Sequence, residues 1–155
     1  WNTENVTTME SMFENASAFN QPLSNFNMTK VTNINNMFAN ARSFSRNIES
    51  WNTSNITKMN RVFKDATSFN QPLANWDTSN VLCMAEMFRN AKSFNQPIQN
   101  WNIQKVDTVE FLFKDATSFN QPIRKQWNLK HVSYGVNESM YENSGVPGRK
   151  RCVVM

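Results

Sequence analysis

Residues 51–75 read WNTSNITKMNRVFKDATSFNQPLAN, and this stretch decides how the whole chain is interpreted. Its leading aromatic residue recurs in both directions at steps of 25 residues. The aromatic positions are Trp1, Phe26, Trp51, Trp76 and Trp101, followed 26 residues later by Trp127. Asn-Gln-Pro-Leu or Asn-Gln-Pro-Ile keeps the same register at residues 20–23, 70–73, 95–98 and 120–123. Self-similarity at a fixed period of this size indicates a repeat protein.

Each repeat predicts a short strand, a turn and a short helix. In the second copy, Phe26 and Met28 alternate as the inward residues of a strand do. The spacing of one helix face then follows at Ile34, Met37, Phe38 and Ala41. Such a unit cannot bury its apolar side chains alone, but stacked units can. The sequence therefore predicts an α/β fold, a leucine-rich-repeat-like right-handed solenoid of strand–turn–helix units with a parallel sheet.

The repeats divide the chain into three predicted parts. Residues 1–126 hold five solenoid repeats, and residues 147–155 form a flexible basic tail. Residues 127–146 are interpreted as a degenerate sixth repeat that caps the stack, because Ser-Met-Tyr-Glu-Asn at 139–143 echoes Ser-Met-Phe-Glu-Asn at 11–15. The second copy departs from the pattern with Ser-Arg-Asn-Ile at 45–48, which makes that loop the first place to look for a specific contact.

Composition argues against several classes of function. Three positive charges of the net +4 lie together at residues 149–151, so we expect no nucleic-acid partner from the overall charge. Two cysteines make neither a disulfide framework nor a metal cluster, and no apolar run approaches the ~18 residues that span a membrane. The single histidine, His131, has no acid or cysteine in repeat register beside it, whereas general acid–base catalysis needs partnered groups. We therefore predict a non-enzymatic protein without catalytic residues, cofactor or metal.

The motifs at residues 51–59, 62–66 and 69–73 resemble the BspA-like leucine-rich-repeat surface proteins, whose repeats occur in mycoplasma and other bacterial surface lipoproteins. The resemblance covers residues 1–123 with specific motifs and extends weakly to residue 146. It implies a leucine-rich-repeat-like solenoid, and by analogy display at the cell surface, adhesion or partner binding.

The first functional hypothesis is a module for protein–protein interaction or adhesion. The positions that flank the inward aromatic residue are polar, so they would form two outward columns on the predicted sheet. The predicted binding residues are Asn25, Asn27, Asn52, Asn75, Asp77, Asn100 and Asn102. Solenoid sheets are extended binding surfaces, and a protein or a glycan would be the ligand. The alternative is a solvated face that prevents aggregation through its polarity.

The second hypothesis is a farnesylated scaffold on the cytoplasmic face of a membrane. Cys152 begins a C-terminal Cys-Val-Val-Met that fits a prenylation signal. Arg149, Lys150 and Arg151 would supply the electrostatic second signal that a single lipid chain needs. This hypothesis requires that Met155 is the true C-terminus and that the source is a eukaryote or a eukaryotic virus.

The third hypothesis is a structural subunit that associates end to end, because the first repeat has no cap and an open edge invites pairing. Three repeated positions carry further predictions. Asn20, Asn70, Asn95 and Asn120 are expected to satisfy backbone groups of neighbouring repeats. Lys64, Arg89 and Lys114 form a basic stripe, for which a solvated face is favoured over phosphate binding. Cys83 fills a slot that is polar in the other repeats, which predicts an accessible thiol.

Overall fold

The computed structural model describes residues 1–132 and 138–146. Within these ranges the helices are two short 3₁₀ segments, η1 (Ile123–Lys125) and η2 (Glu138–Tyr141). There is no α-helix and no β-strand in the described part of the chain; parallel pairing is limited to isolated bridges between successive repeats. The bridges join Thr8, Asn33, Lys58, Cys83 and Thr108. The predicted α/β solenoid with helices and a parallel sheet is therefore wrong, and the repeats stack instead as coils built of turns.

Two left-handed residues in every repeat explain why the predicted helix does not form. In the second repeat, Asn36 and Asn40 have φ values of 56° and 61°, inside the segment predicted as helix. An α-helix requires φ near −63° at each residue, so a positive φ interrupts it. The equivalent residues with positive φ are Ser11, Asn15, Arg61, Asp65, Glu86, Asn90, Phe111 and Asp115. Asn or Asp occupies the second position in all five repeats, and these residues tolerate the left-handed region better than most.

Overlapping turns replace the helix, and alternate amides bond within and between repeats. The N–H of Met37 donates to the carbonyl of Ile34 in its own turn at 3.1 Å. The next N–H, that of Phe38, donates to the carbonyl of Val62 in the following repeat at 2.9 Å. The same alternation recurs through this segment in each of the first four repeats. The buried backbone is thereby satisfied without a helix or a continuous strand ladder.

A local turn also ends each predicted strand. The side-chain oxygen of Asn52 accepts the N–H of Ser54 at 3.1 Å, which bends the chain directly after Trp51. The next residue, Thr53, reaches the following repeat through its hydroxyl, which donates to the carbonyl of Asp77 at 3.0 Å. At this position a side-chain hydrogen bond joins the two repeats, instead of the backbone hydrogen bonds that a sheet would have.

The core consists of aromatic columns that run through the stack, as predicted. Along one column Phe63 lies between Phe38 and Phe88, with ring centroids 5.7 and 5.6 Å away. Phe69 of a second column lies 3.9 Å from Phe63 in the same repeat. The third column holds the tryptophans. The indole N–H of Trp76 also donates to the backbone carbonyl of Ile48, 28 residues earlier in the sequence, at 3.1 Å. Buried aromatic rings of this size dominate the energetics of a core.

The predicted role of the repeated asparagines is confirmed for Asn20, Asn70 and Asn95. The side-chain oxygen of Asn70 accepts the backbone N–H of Asn95 at 3.0 Å, and that of Asn95 accepts the N–H of Asn120 at 3.1 Å. Asn20 makes the same bond to the N–H of Ser45 at 3.1 Å. The series is interrupted only where the second copy carries Ser45 in place of asparagine, and there the serine hydroxyl accepts the N–H of Asn70 at 3.4 Å.

Residues 138–146, called the terminal segment below, pack on the fifth repeat. The carbonyls of Met140 and Glu142 accept the N–H groups of Phe113 and Asp115, at 2.8 and 2.7 Å. These bonds join residues 27 positions apart instead of the 24 found between the earlier repeats. The assignment of residues 127–146 as one capping repeat stays a prediction, and the predicted tail at 147–155 lies outside the described residues.

Candidate binding surface

All seven predicted binding residues are exposed, although the sheet on which they were predicted is absent. They lie in two columns that repeat along the stack, one on each side of the buried aromatic residue. The exposed residues are Asn25, Asn27, Asn52, Asn75, Asp77, Asn100 and Asn102. Their exposure does not test whether they contact a ligand, so that role stays a prediction. The two columns differ in the hydrogen bonds that their side chains make.

The column of Asn27, Asn52, Asp77 and Asn102, called the turn-capping column, is used by the fold itself. Each side-chain oxygen accepts the backbone N–H two residues later, at 2.9–3.1 Å. The hydrogen bond from the Ser79 side chain, together with that from its backbone, lowers the pKa of Asp77. The sequence analysis did not predict this role, although Asn or Asp stands at this position in all four turns and both residue types favour Asx turns.

The column of Asn25, Ser50, Asn75 and Asn100, called the free polar column, has no such role. All four residues are exposed, and their side chains make no hydrogen bond to any other residue that the structure describes. An asparagine side chain offers two donors and an acceptor with two lone pairs. The free polar column therefore presents unused donors and acceptors at every repeat from the first to the fourth.

A polar hollow of about 330 Å³ adjoins this column at the second repeat. It is lined by Ser24, Asn47, Glu49, Ser50 and Asn75, two of which belong to the free polar column. Asn47 lies in the irregular loop at residues 45–48, where the other repeats have proline. The irregular loop, predicted as the first place for a specific contact, thus contributes Asn47 to a hollow lined by polar residues.

The residues of the predicted basic stripe form ion pairs with acidic side chains. Glu86, whose side chain is 11% exposed, pairs with Arg61, Lys64 and Arg89 at 2.8, 2.9 and 2.9 Å. Burial raises the pKa of Glu86, but the hydrogen bonds from Lys64, Arg61 and Arg89 outweigh it and lower that pKa to about 2. Lys114, the last member of the stripe, pairs with a second acid at 2.9 Å. Each cation of the stripe therefore has a carboxylate partner, and Lys64 and Arg89 share theirs with Arg61.

Two reactive side chains have ordinary structural contacts. Cys83 is half-buried, and its Sγ accepts a hydrogen bond from the side-chain amide of Asn60 at 3.1 Å. His131 Nε2 lies 2.9 Å from the carbonyl oxygen of Ile103. Over residues 1–132 and 138–146, no group of three or more potential metal ligands is found. The same ranges contain no helix long and apolar enough to cross a membrane. The predicted lipidation site Cys152 and its basic neighbours at 149–151 lie outside the described residues.

The repeat that produces these columns is also what comparison with known families detects. One family model matches residues 1–53 and again residues 44–146, and the family is described as a mycoplasma protein of unknown function, DUF285. The chain belongs to this family. Searches of curated proteins and of solved structures gave no match.

Membership of DUF285 confirms the mycoplasma-type part of the resemblance drawn from the motifs. It does not support the leucine-rich-repeat part, and the turn-built coils agree with that distinction. DUF285 is not a known enzyme family, and its description is compatible with a non-enzymatic repeat protein. The function of this DUF285 chain must therefore be argued from its surface.

Proposed function

We propose that this DUF285 protein is a non-enzymatic surface module that binds a partner protein through the free polar column and the polar hollow. The observation that carries the proposal is that Asn25, Asn75 and Asn100, with Ser50 between the first two, are exposed at steps of 25 residues along the stack. Within the described residues their amides are not used by the fold, in contrast to the turn-capping column. Residues that neither pack nor cap are available for recognition.

The chemistry of the hollow favours a protein over a glycan. Its lining holds hydroxyls, amides and the carboxylate of Glu49, and no aromatic ring on which a sugar face would stack. Within the described residues, the Glu49 carboxylate forms no ion pair. A basic side chain of a partner could form an ion pair with that carboxylate. Backbone groups of the partner could form hydrogen bonds with the side-chain amides of Asn25 and Asn75.

For location we propose display at the cell surface, supported by the resemblance to bacterial surface proteins and by the mycoplasma description of DUF285. The farnesyl anchor at Cys152 remains the alternative, and it rests on the sequence motif alone. A family described from mycoplasmas lends it no support, because the motif is read by eukaryotic enzymes. The intact mass of the protein from its source distinguishes the two: a farnesyl group on Cys152 would contradict surface display.

The proposal is tested by measuring binding of the purified chain to a panel of immobilised extracellular-matrix proteins and, separately, to a glycan array. We expect saturable binding to at least one protein, weakened more than about tenfold by Ser50→Arg combined with Asn75→Arg. The matched control combines Ser43→Arg with Ser68→Arg, two exposed positions one repeat apart that lie outside the column. Equal loss in both double variants, or binding to glycans only, would refute a protein partner on this column.

A further inference from the structure

One edge of the stack carries basic residues and no acidic residue. It consists of the segment that follows the repeated alanine in each of the five repeats, and it is called the loop edge below. Its segments are residues 17–22, 42–47, 67–72, 92–97 and 117–122. The charged residues of the loop edge are Arg42, Arg46 and Lys92, and all three are exposed. Two more exposed cations, Arg124 and Lys125, lie within three residues of its last segment.

The cations of the loop edge have no carboxylate partner among the described residues. The ion pairs found there use the cations Arg61, Lys64, Arg89 and Lys114, none of which belongs to this edge. The side chains of Arg42 and Lys92 make no hydrogen bond to any residue that the structure describes. Arg46 donates its Nε–H to the carbonyl of Asn20 at 2.8 Å. Since a guanidinium has five N–H donors, four remain available on Arg46.

The acidic residues nearest in sequence are engaged elsewhere. Asp65 and Asp115 lie two residues before the loop edge. Their carboxylates accept the side-chain amides of Asn90 and Asn143, at 2.6 and 2.9 Å. Glu49 lies two residues after the edge and lines the polar hollow. None of the three forms an ion pair with a cation of the loop edge, so the positive charge of this edge is available to an external anion.

The loop edge has a regular, hydrogen-bonded framework. The second residue of each segment after the first donates its N–H to a carbonyl of the preceding repeat at 3.0–3.3 Å, and these donors are Ser43, Ser68, Ser93 and Ser118. Beneath the edge, a column of phenyl rings from Phe19 to Phe119 has centroids 5.9–6.1 Å apart. Arg42 and Lys92 occupy equivalent positions two of these layers apart. The backbone therefore fixes the interval between the two cations.

A column of hydroxyl groups accompanies the cations. It consists of the same four serines, and all of them are exposed. The hydroxyl of Ser93 donates to the carbonyl of Thr67 at 2.8 Å. Over the described ranges, the hydroxyls of Ser43, Ser68 and Ser118 make no hydrogen bond. Each hydroxyl offers one donor and two acceptor lone pairs, so the edge combines positive charge with neutral hydrogen-bonding groups.

We propose that the loop edge is a binding surface for a sulfated polysaccharide. The chain of sugars lies along the stack, with sulfate groups on Arg42, Arg46 and Lys92 and sugar hydroxyls on the serine column. The planar guanidinium matches the oxygens of such an anion in a bidentate way, and clustered Lys and Arg attract polyanions. This inference does not depend on the free polar column.

The composition of the edge favours a sulfated sugar over the two other common polyanions. An anionic membrane surface usually also receives large apolar side chains, whereas within the described residues none is exposed on the loop edge. A single-stranded nucleic acid needs exposed aromatic rings for base stacking. The rings of this edge from Phe44 to Phe119 are fully buried. Hydroxyl groups beside cations are instead what a polymer of sulfates and hydroxyls requires.

The test measures binding of the full chain to immobilised heparin by surface plasmon resonance at about 0.15 M ionic strength. Arg149, Lys150 and Arg151 are replaced by glutamine in every protein compared, so that this second basic group does not contribute. We expect saturable binding that weakens as salt rises, and Arg42→Glu combined with Lys92→Glu should lower the affinity about tenfold or more. Thr67→Lys adds a cation in the layer between these two positions. It should tighten binding about threefold, a gain that misfolding cannot produce.

The matched control combines Lys30→Glu with Lys105→Glu. Both lysines are exposed, lie outside the loop edge and contact only an asparagine side chain of a neighbouring repeat, and the change in net charge is the same. The control should lose distinctly less affinity for heparin. The proposal is overturned if the parent protein does not bind heparin, or if both double variants lose equal affinity. It is also overturned if heparin without its sulfate groups, vesicles of phosphatidylserine or single-stranded DNA compete as well as heparin does.

Discussion

At the scale of single residues, the left-handed position before each repeated alanine fixes the shape of the coil. It holds Asn15, Asn40, Asp65, Asn90 or Asp115, with φ values of 55–62°. Non-glycine residues other than Asn and Asp enter this region at a cost of roughly 1–2 kcal/mol. The residue at this position is therefore determined by backbone conformation. Assigning the neighbouring apolar residues to one face of a helix does not take this into account.

This account predicts how Asn40 responds to substitution. Asn40→Ala should lower the free energy of unfolding by about 1–2 kcal/mol, because alanine strains the left-handed backbone. Asn40→Gly relieves the strain and forfeits only the bond to Asn15, so it should cost about 1 kcal/mol or less. Urea unfolding of both variants measures the difference. A glycine variant as unstable as the alanine variant would show that the side-chain bond, rather than φ, dominates.

A second prediction at this scale concerns Glu86 and pH. Because its folded-state pKa is lowered to about 2 from 4.5, its ionised form stabilises the fold above about pH 4.5, and this contribution is lost as pH falls towards 2. Glu86→Gln should cost roughly 1–2 kcal/mol at pH 6, given three partly exposed ion pairs. The difference in free energy of unfolding between this variant and the unaltered chain should be smaller at pH 2.5, as measured by urea titration. A gap independent of pH would mean that Glu86 acts by packing and not by charge.

At the scale of the repeat, sequence predicted the period, the aromatic columns and the asparagine ladder correctly, and the helix and the sheet wrongly. Ile34, Met37 and Phe38 have helical spacing, but overlapping turns that close every three residues bury the same positions. Apolar spacing alone does not separate the two. The distinguishing signal is Asn36 and Asn40, because asparagine adopts the left-handed conformation more readily than most residues and that conformation interrupts a helix. On the surface, the alternation of polar and apolar residues predicted that both polar columns are exposed. It did not predict that only one of them caps turns, because that difference depends on local hydrogen bonds.

The columns predict that a ring in the middle of the stack matters more than one at its end. Phe63 is fully buried between two rings of its column, while Phe13 has no ring of that column before it within the chain and is 8% exposed. Phe63→Ala should destabilise by roughly 3–5 kcal/mol, and Phe13→Ala by distinctly less. Thermal unfolding followed by tryptophan fluorescence compares them. Equal destabilisation would indicate that the stack does not transmit packing from repeat to repeat.

At the scale of the whole molecule, the side of the stack and the surface of the fifth repeat that contacts the terminal segment differ in their use. The side of the stack carries the free polar column and the polar hollow, which we propose for recognition. The terminal segment packs on the fifth repeat, where its carbonyls accept the N–H groups of Phe113 and Asp115.

The alternating hydrogen bonds have a mechanical consequence. In each coil, half of the amides in the turn segment point along the stack to the next coil. Tension applied between the two ends of the molecule loads these layers one after another, so the weakest layer opens while the rest hold. Each opened coil frees 25 residues, or about 80–90 Å of chain. Under such tension the stack would lengthen stepwise and absorb work at each step.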